Sequence, residues 1–196
     1  FVRNNEAEIL RIKRAMKVPV DKKLVLYAPT WRKKGERKLG IDFESMYASL
    51  RDDLFVLIRP HHLSGDIEVP MAYADKMILS DDSFAIDDYY LISDVMITDY
   101  SSVMFDYALL NKPMVFFVYD FDNYVSSRGL NFDFKADAPG PLVYTQTELE
   151  ISLQSFEEIP KRYEDKIAIF DTKFIQYDDG HASENIFKAV FDPEKS

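Results

Sequence analysis

Residues 98–102, Thr-Asp-Tyr-Ser-Ser, set a carboxylate beside two adjacent hydroxyls. They follow the apolar run Val95, Met96, Ile97 and open a stretch read as helix. At such a junction the first backbone N–H groups have no partner within the helix, and the helix dipole adds positive potential. Ser101 and Ser102 place hydroxyls at the same spot, so the turn suits a phosphate or pyrophosphate. Capping of the helix by Asp99, Ser101 or Ser102 is the alternative use of the same residues.

Two further groups could act on the same kind of ligand. Arg59-Pro60-His61-His62 follows a second apolar run, so His61 should project from the carboxyl end of a strand. An imidazole there can donate to a phosphoryl oxygen and stabilise developing charge. Two adjacent histidines lack ligand spacing, and without Cys no metal site is expected. Residues 177–183, Tyr-Asp-Asp-Gly-His-Ala-Ser, form a turn entering a helix, either an anion seat or an ordinary cap. Residues 124–129 offer the Arg128 guanidinium and a permissive glycine, Gly129.

Positioning these groups requires alternating strands and helices. Strands are predicted at 24–28, 54–59, 77–79, 95–98, 114–118 and 143–144, and helices at 42–50, 86–92, 102–110, 145–156, 159–170 and 182–191. Asn111-Lys112-Pro113 ends the helix before it. The continuous apolar run 54–58 is the kind found when both sheet faces are covered. Repeated strand–helix units imply an α/β fold with a parallel, Rossmann-like sheet and helices on both faces. Segment 119–141 is long, aromatic and acidic with little periodicity, and is read as an ordered functional loop.

Composition narrows the class. At 196 residues and 47% hydrophobic, the chain can bury a substantial core, as one domain or a domain with a helical appendix. The absence of Cys excludes disulfides and thiol nucleophiles and fits a cytosolic setting. No apolar run approaches a membrane span. The chain opens on Phe1-Val2-Arg3 without Met and is taken as a piece of a longer protein. The net charge of −10 is uneven: residues 1–38 hold 12 Lys or Arg against 4 Asp or Glu, and the remainder 12 against 30. Part of the basic excess is read as the solvated face of an N-terminal helix, with Arg11, Lys13, Arg14 and Lys17 outward and Ile9, Leu10, Ile12 and Met16 inward. The basic run 31–38 follows the first strand directly, where open α/β sheets place ligands.

YAPTWR at 27–32, RPHH at 59–62, the block 92–117, YVSSRG at 124–129, PGPLV at 139–143 and DGHAS at 179–183 together resemble the CDP-glycerol glycerophosphotransferase family, the teichoic acid polymerases and primases of Gram-positive bacteria. The resemblance implies the C-terminal, nucleotide-binding lobe of a two-lobed GT-B fold. It also implies transfer of glycerol phosphate from CDP-glycerol to the hydroxyl end of a teichoic acid chain or lipid-linked primer, with release of CMP. In that scheme His61 contacts the pyrophosphate and Ser101 and Ser102 hold phosphate oxygens, with Asp99 and Arg59 beside them. Asp106 and Asp179 serve the ribose or nucleotide, and Thr30, Arg32, Arg128, Gly180 and Ser183 are further contacts. No role carries over to His62. Neither a cofactor nor a nucleic-acid partner is expected, and the setting would be the cytoplasmic face of the cell membrane. The acceptor lobe is absent, so this chain alone is not expected to catalyse. Rival readings are a CDP-ribitol or other nucleotide-activated donor, or a nucleotide-binding module without turnover.

Overall fold

The computed structural model describes residues 5–32, 39–61, 67–80, 83–178 and 180–191. His62, Asp179 and most of the basic run 31–38 lie outside them. Six parallel strands, β1 (Lys23–Tyr27), β2 (Leu54–Ile58), β3 (Met77–Leu79), β4 (Val95–Thr98), β5 (Met114–Phe117) and β6 (Leu142–Val143), form one sheet. Their order is β3-β2-β1-β4-β5-β6, the doubly wound, Rossmann-like arrangement.

The two-residue period of the strands sorts their side chains onto two buried faces. Leu24, Leu26, Phe55, Leu57, Met96 and Phe116 pack against Ile12, Tyr89, Tyr90, Met104, Phe134 and Phe170. These come from α1 (Glu6–Ala15), α3 (Ile86–Ile92), α4 (Val103–Ala108), α6 (Phe134–Asp137) and α9 (Glu164–Phe170). Val25, Tyr27, Val56, Ile58, Ile97 and Val115 face the other way, onto Met46, Leu149, Leu153 and Ile159. Those belong to α2 (Phe43–Ser49), α7 (Gln146–Gln154) and α8 (Ile159–Arg162). Capping fixes several starts. Asp42 accepts from Ser45 N, and Thr145 and Glu148 form a reciprocal capping box.

Several expectations are corrected. Segment 119–141 is not a loop, because α5 (Phe121–Arg128) and α6 lie within it. Phe134 supplies the reason: its ring sits among Phe116, Tyr100 and Phe121, so tertiary packing fixes an element that periodicity did not reveal. Lys13 is buried rather than solvated, its ammonium donating to Lys22 O at 3.1 Å. The helix expected at 102–110 is only six residues long, and the last strand begins one residue early, at Leu142. The helix expected at 159–170 breaks at Tyr163 into α8 and α9.

Lys112 clamps the end of α3, with its ammonium donating to Tyr90 O, Leu91 O and Ser93 O at 2.8–3.1 Å. A cation is favoured there by the helix dipole. Burial pulls that ammonium down to about 8, still charged at neutral pH. No described helix is long and apolar enough to cross a membrane. The final helix, α10 (Ala182–Phe191), exposes Ile186, Phe187, Val190 and Phe191.

Candidate functional site

The order in which the chain lays down its strands reverses at the middle of the sheet. From β1 the chain steps outward to β2 and β3, then returns to β4 on the other side of β1. Open α/β sheets hold ligands outside the carboxyl ends of the strands at this switch point. Pairing sets those ends level, since Tyr27 aligns with both Ile58 and Ile97. Ala28 N donates to Ile97 O at 2.9 Å and Arg59 N to Tyr27 O at 2.8 Å. The segments 28–30, 59–61 and 99–101 therefore emerge side by side.

Between them lies a crevice of about 190 Å³ lined by Pro29, Arg59, His61, Ile86, Ser101 and Val103 among others. The sequence-predicted His61, Arg59 and Ser101 thus meet in one place. The Arg59 guanidinium stands 4.8 Å from the Tyr89 ring centroid and reaches Ser80 Oγ at 3.3 Å. It is a cation fixed in the wall. Ser101 Oγ accepts from Val103 N at 3.5 Å, which leaves its own proton to donate. Ser102 stands at the head of α4 without a capping hydrogen bond from its side chain. Because α4 has only six residues, its dipole adds less than that of a full-length helix, and the hydroxyls and fixed cation matter more.

Thr30, Arg32 and Asp99 do not line this crevice; they are engaged with one another in the loops after β1 and β4. Asp99 accepts from Thr30 N (2.9 Å), Thr30 Oγ1 (2.6 Å) and Arg32 Nη2 (2.9 Å). Arg32 also donates through Nη1 to Thr30 O, and through Nε and Nη2 to Asp120 at 2.7 and 3.1 Å. The Arg32 side chain is 4% exposed and that of Asp99 3%. Burial opposes the guanidinium charge, but Asp120 and Asp99 outweigh it and hold the group above its ordinary value. The rings of Tyr100, Tyr119 and Tyr124 surround it at 5.4–5.6 Å. Burial, followed by Asp120, raises the Tyr100 phenol, whose hydroxyl donates to Asp120 at 3.1 Å. Asp120 and Tyr100 had no place among the sequence candidates. A signal existed: three charged residues, Arg32, Asp99 and Asp120, each stand just beyond a strand end.

The remaining candidates lie around this centre. Asp106 is exposed on α4; partial burial and then Asp87 and Asp178 raise its carboxyl. A carboxylate beside two others repels phosphate and suits hydroxyl donors. Gly180 has φ 84°, a conformation that favours glycine. Neither it nor the exposed Ser183 lines the crevice. Arg128 is exposed at the end of α5, its guanidinium 4.2 Å from the Trp31 ring centroid and 5.7 Å from that of Tyr124. Gly129 follows at φ 75°. No group of carboxylates or histidines capable of holding a metal occurs among the described residues.

A sequence model of the family described as CDP-Glycerol:Poly(glycerophosphate) glycerophosphotransferase matches residues 1–192. A teichoic acid glycerol-phosphate transferase of Staphylococcus aureus is 36% identical over 96% of this chain and 50% of its own length. A teichoic acid poly(ribitol-phosphate) polymerase of Bacillus spizizenii is 36% identical over 89% of this chain and 29% of its own. The solved structure of a variant of the wall teichoic acid polymerase TagF soaked with CDPG superposes with a TM-score of 0.83. It is 36% identical and is matched over 99% of this chain and 48% of its own. The chain thus spans half or less of the length of these relatives. Motifs, sheet order and similarity over nearly the whole sequence agree: the chain belongs to the CDP-glycerol:poly(glycerophosphate) glycerophosphotransferase family.

Proposed function

We propose that this chain is the donor-binding lobe of a transferase that moves glycerol phosphate from CDP-glycerol onto the hydroxyl end of a teichoic acid chain or its lipid-linked primer. The observation that carries the reading is the convergence of His61, Arg59 and Ser101 on one crevice at the switch point of the sheet. Family membership supports it. A crevice of about 190 Å³ is smaller than the usual 300–1,000 Å³ of a complete ligand site. It fits the diphosphate, with the nucleoside and glycerol extending beyond and a second GT-B lobe closing over them.

In this reading Ser101 and Ser102 donate to phosphate oxygens, and Arg59 offsets their charge. His61 donates to the oxygen that carries charge as the β-phosphorus parts from CMP. The transfer forms the bond between the acceptor oxygen and that phosphorus and breaks the bond to the bridging oxygen, which leaves on CMP, while the acceptor hydroxyl gives its proton to a base on the second lobe. Such chemistry is governed by alignment and charge neutralisation. Asp106, and with it Asp179, accepts from ribose hydroxyls. Arg128 on its Trp31 platform and the Gly180–Ser183 side of the turn bound the ligand further out. Thr30, Arg32 and Asp99 hold the loops after β1 and β4 in shape. Action at the cytoplasmic membrane face, where lipid-linked acceptors are made, belongs to the same proposal.

Calorimetric titration of this chain with CDP-glycerol, CDP-ribitol, CMP and a UDP-sugar tests the reading. Binding of the cytidine ligands with the UDP-sugar excluded is expected, together with no acceptor-dependent CMP release from the isolated chain. Equal binding of all four, or none, would contradict the donor assignment. Preference for CDP-ribitol would favour the ribitol reading, for which similarity to a ribitol-phosphate polymerase already gives one reason.

A further inference from the structure

Asp120 does not line the crevice, yet it holds Tyr100 directly and Asp99 through Arg32, the two residues that lead into Ser101. Its Oδ2 takes Arg32 Nε, and its Oδ1 takes Arg32 Nη2 and the Tyr100 hydroxyl. Arg32 in turn holds Asp99. The 99–100 turn is therefore held twice, once through the guanidinium at Asp99 and once directly at Tyr100. Tyr100 is further fixed by stacking on Tyr124, at 3.9 Å between ring centroids. The next residue, Ser101, lines the crevice.

The cost of this arrangement argues that it positions rather than stabilises. Two of its three charged side chains are at most 4% exposed and the third is 17% exposed. Burying such groups is seldom repaid as net stability compared with apolar residues of similar size. What the ions supply here is geometry. A planar guanidinium with donors in a fixed fork joins the loops after β1, β4 and β5 at set distances.

We propose that Asp120 is a positioning residue for donor binding, acting through Arg32 and Tyr100 to hold the Ser101 hydroxyl in the crevice. This rests on the donor reading given above. A hydrogen bond weakens steeply as its distance and angle depart from the ideal, so a displaced Ser101 hydroxyl loses its hold on the ligand. A charge-removing change of the same shape should therefore be felt at the ligand.

The test is Asp120→Asn in the full-length protein, alone and combined with Ser101→Ala, with CDP-glycerol affinity and the KM and kcat for it measured. Asp120→Asn should weaken donor binding and raise KM by roughly tenfold, with kcat changed much less. In the Ser101→Ala background the same change should have little further effect, because coupled residues are non-additive. Tyr100→Phe removes only the hydroxyl contact to Asp120. It should shift KM in the same direction by a few fold, and it keeps the test open if Asp120→Asn does not fold. Unchanged affinity in both variants, or the same penalty with and without the Ser101 hydroxyl, would overturn the positioning role. Failure of the unaltered protein to bind CDP-glycerol would instead overturn the donor reading itself.

Discussion

Replacing His61 by Ala in the full-length protein is expected to lower turnover by roughly a hundredfold or more, the range seen when an electrostatic stabiliser of developing charge is lost. His61 follows Arg59 and Pro60 at the carboxyl end of β2 and lines the same crevice as Ser101. In the proposed reaction, negative charge grows on the bridging oxygen of the pyrophosphate as CMP leaves. An imidazole N–H aimed there gains more in the transition state than in the ground state, so kcat should fall more than KM rises. Steady-state CMP release with a glycerophosphate-primed acceptor measures both. His62→Ala should do much less. Equal losses at the two positions would mean that the acting imidazole has been misassigned.

The second large effect concerns stability. Arg32→Met should destabilise this chain by about 3–5 kcal/mol, the cost typical of removing one partner from a buried ionic cluster. The cause is what remains: Asp99, nearly fully buried, and Asp120 would face each other's charge without the guanidinium between them. Arg32→Lys should rescue only part of the loss, since an ammonium cannot span both carboxylates as the fork does. Adding Asp99→Asn and Asp120→Asn to Arg32→Met should recover stability. Urea unfolding gives the difference as a shifted midpoint at unchanged slope. A loss below about 1 kcal/mol would show that the cluster is far less buried than its geometry indicates.

Where local chemistry decided the outcome, the sequence was informative. Uninterrupted apolar runs marked β2 and β4, and a parallel sheet sets the carboxyl ends of all its strands at one edge. Chain order alone therefore put His61 and Ser101 at one edge. What escaped was decided by contacts between residues distant in sequence. Arg32 meets Asp99 and Asp120 across separations of 67 and 88 residues, so charges standing past three strand ends gave a hint of the clasp but no local pattern paired them. For the same reason α5 and α6 were read as loop: Phe134 earns its place against β5 and Tyr100 rather than through helical periodicity. Lys13 looked solvated because a lysine at that spacing usually is. Its stem instead follows the core to a carbonyl at Lys22.

The claim on which all of this depends is that the switch-point crevice seats the donor diphosphate. The direct measurement is the dissociation constant of CDP-glycerol for this chain and for its Ser101→Ala/Ser102→Ala variant. Each hydroxyl lost should cost about 0.5–1.5 kcal/mol, or more where the partner is a charged phosphate. Together they should weaken binding roughly 5- to 150-fold. Folding should be unaffected, since Ser102 makes no capping hydrogen bond and that of Ser101 is long. An unchanged dissociation constant in a folded double variant would place the diphosphate elsewhere and contradict the site described here.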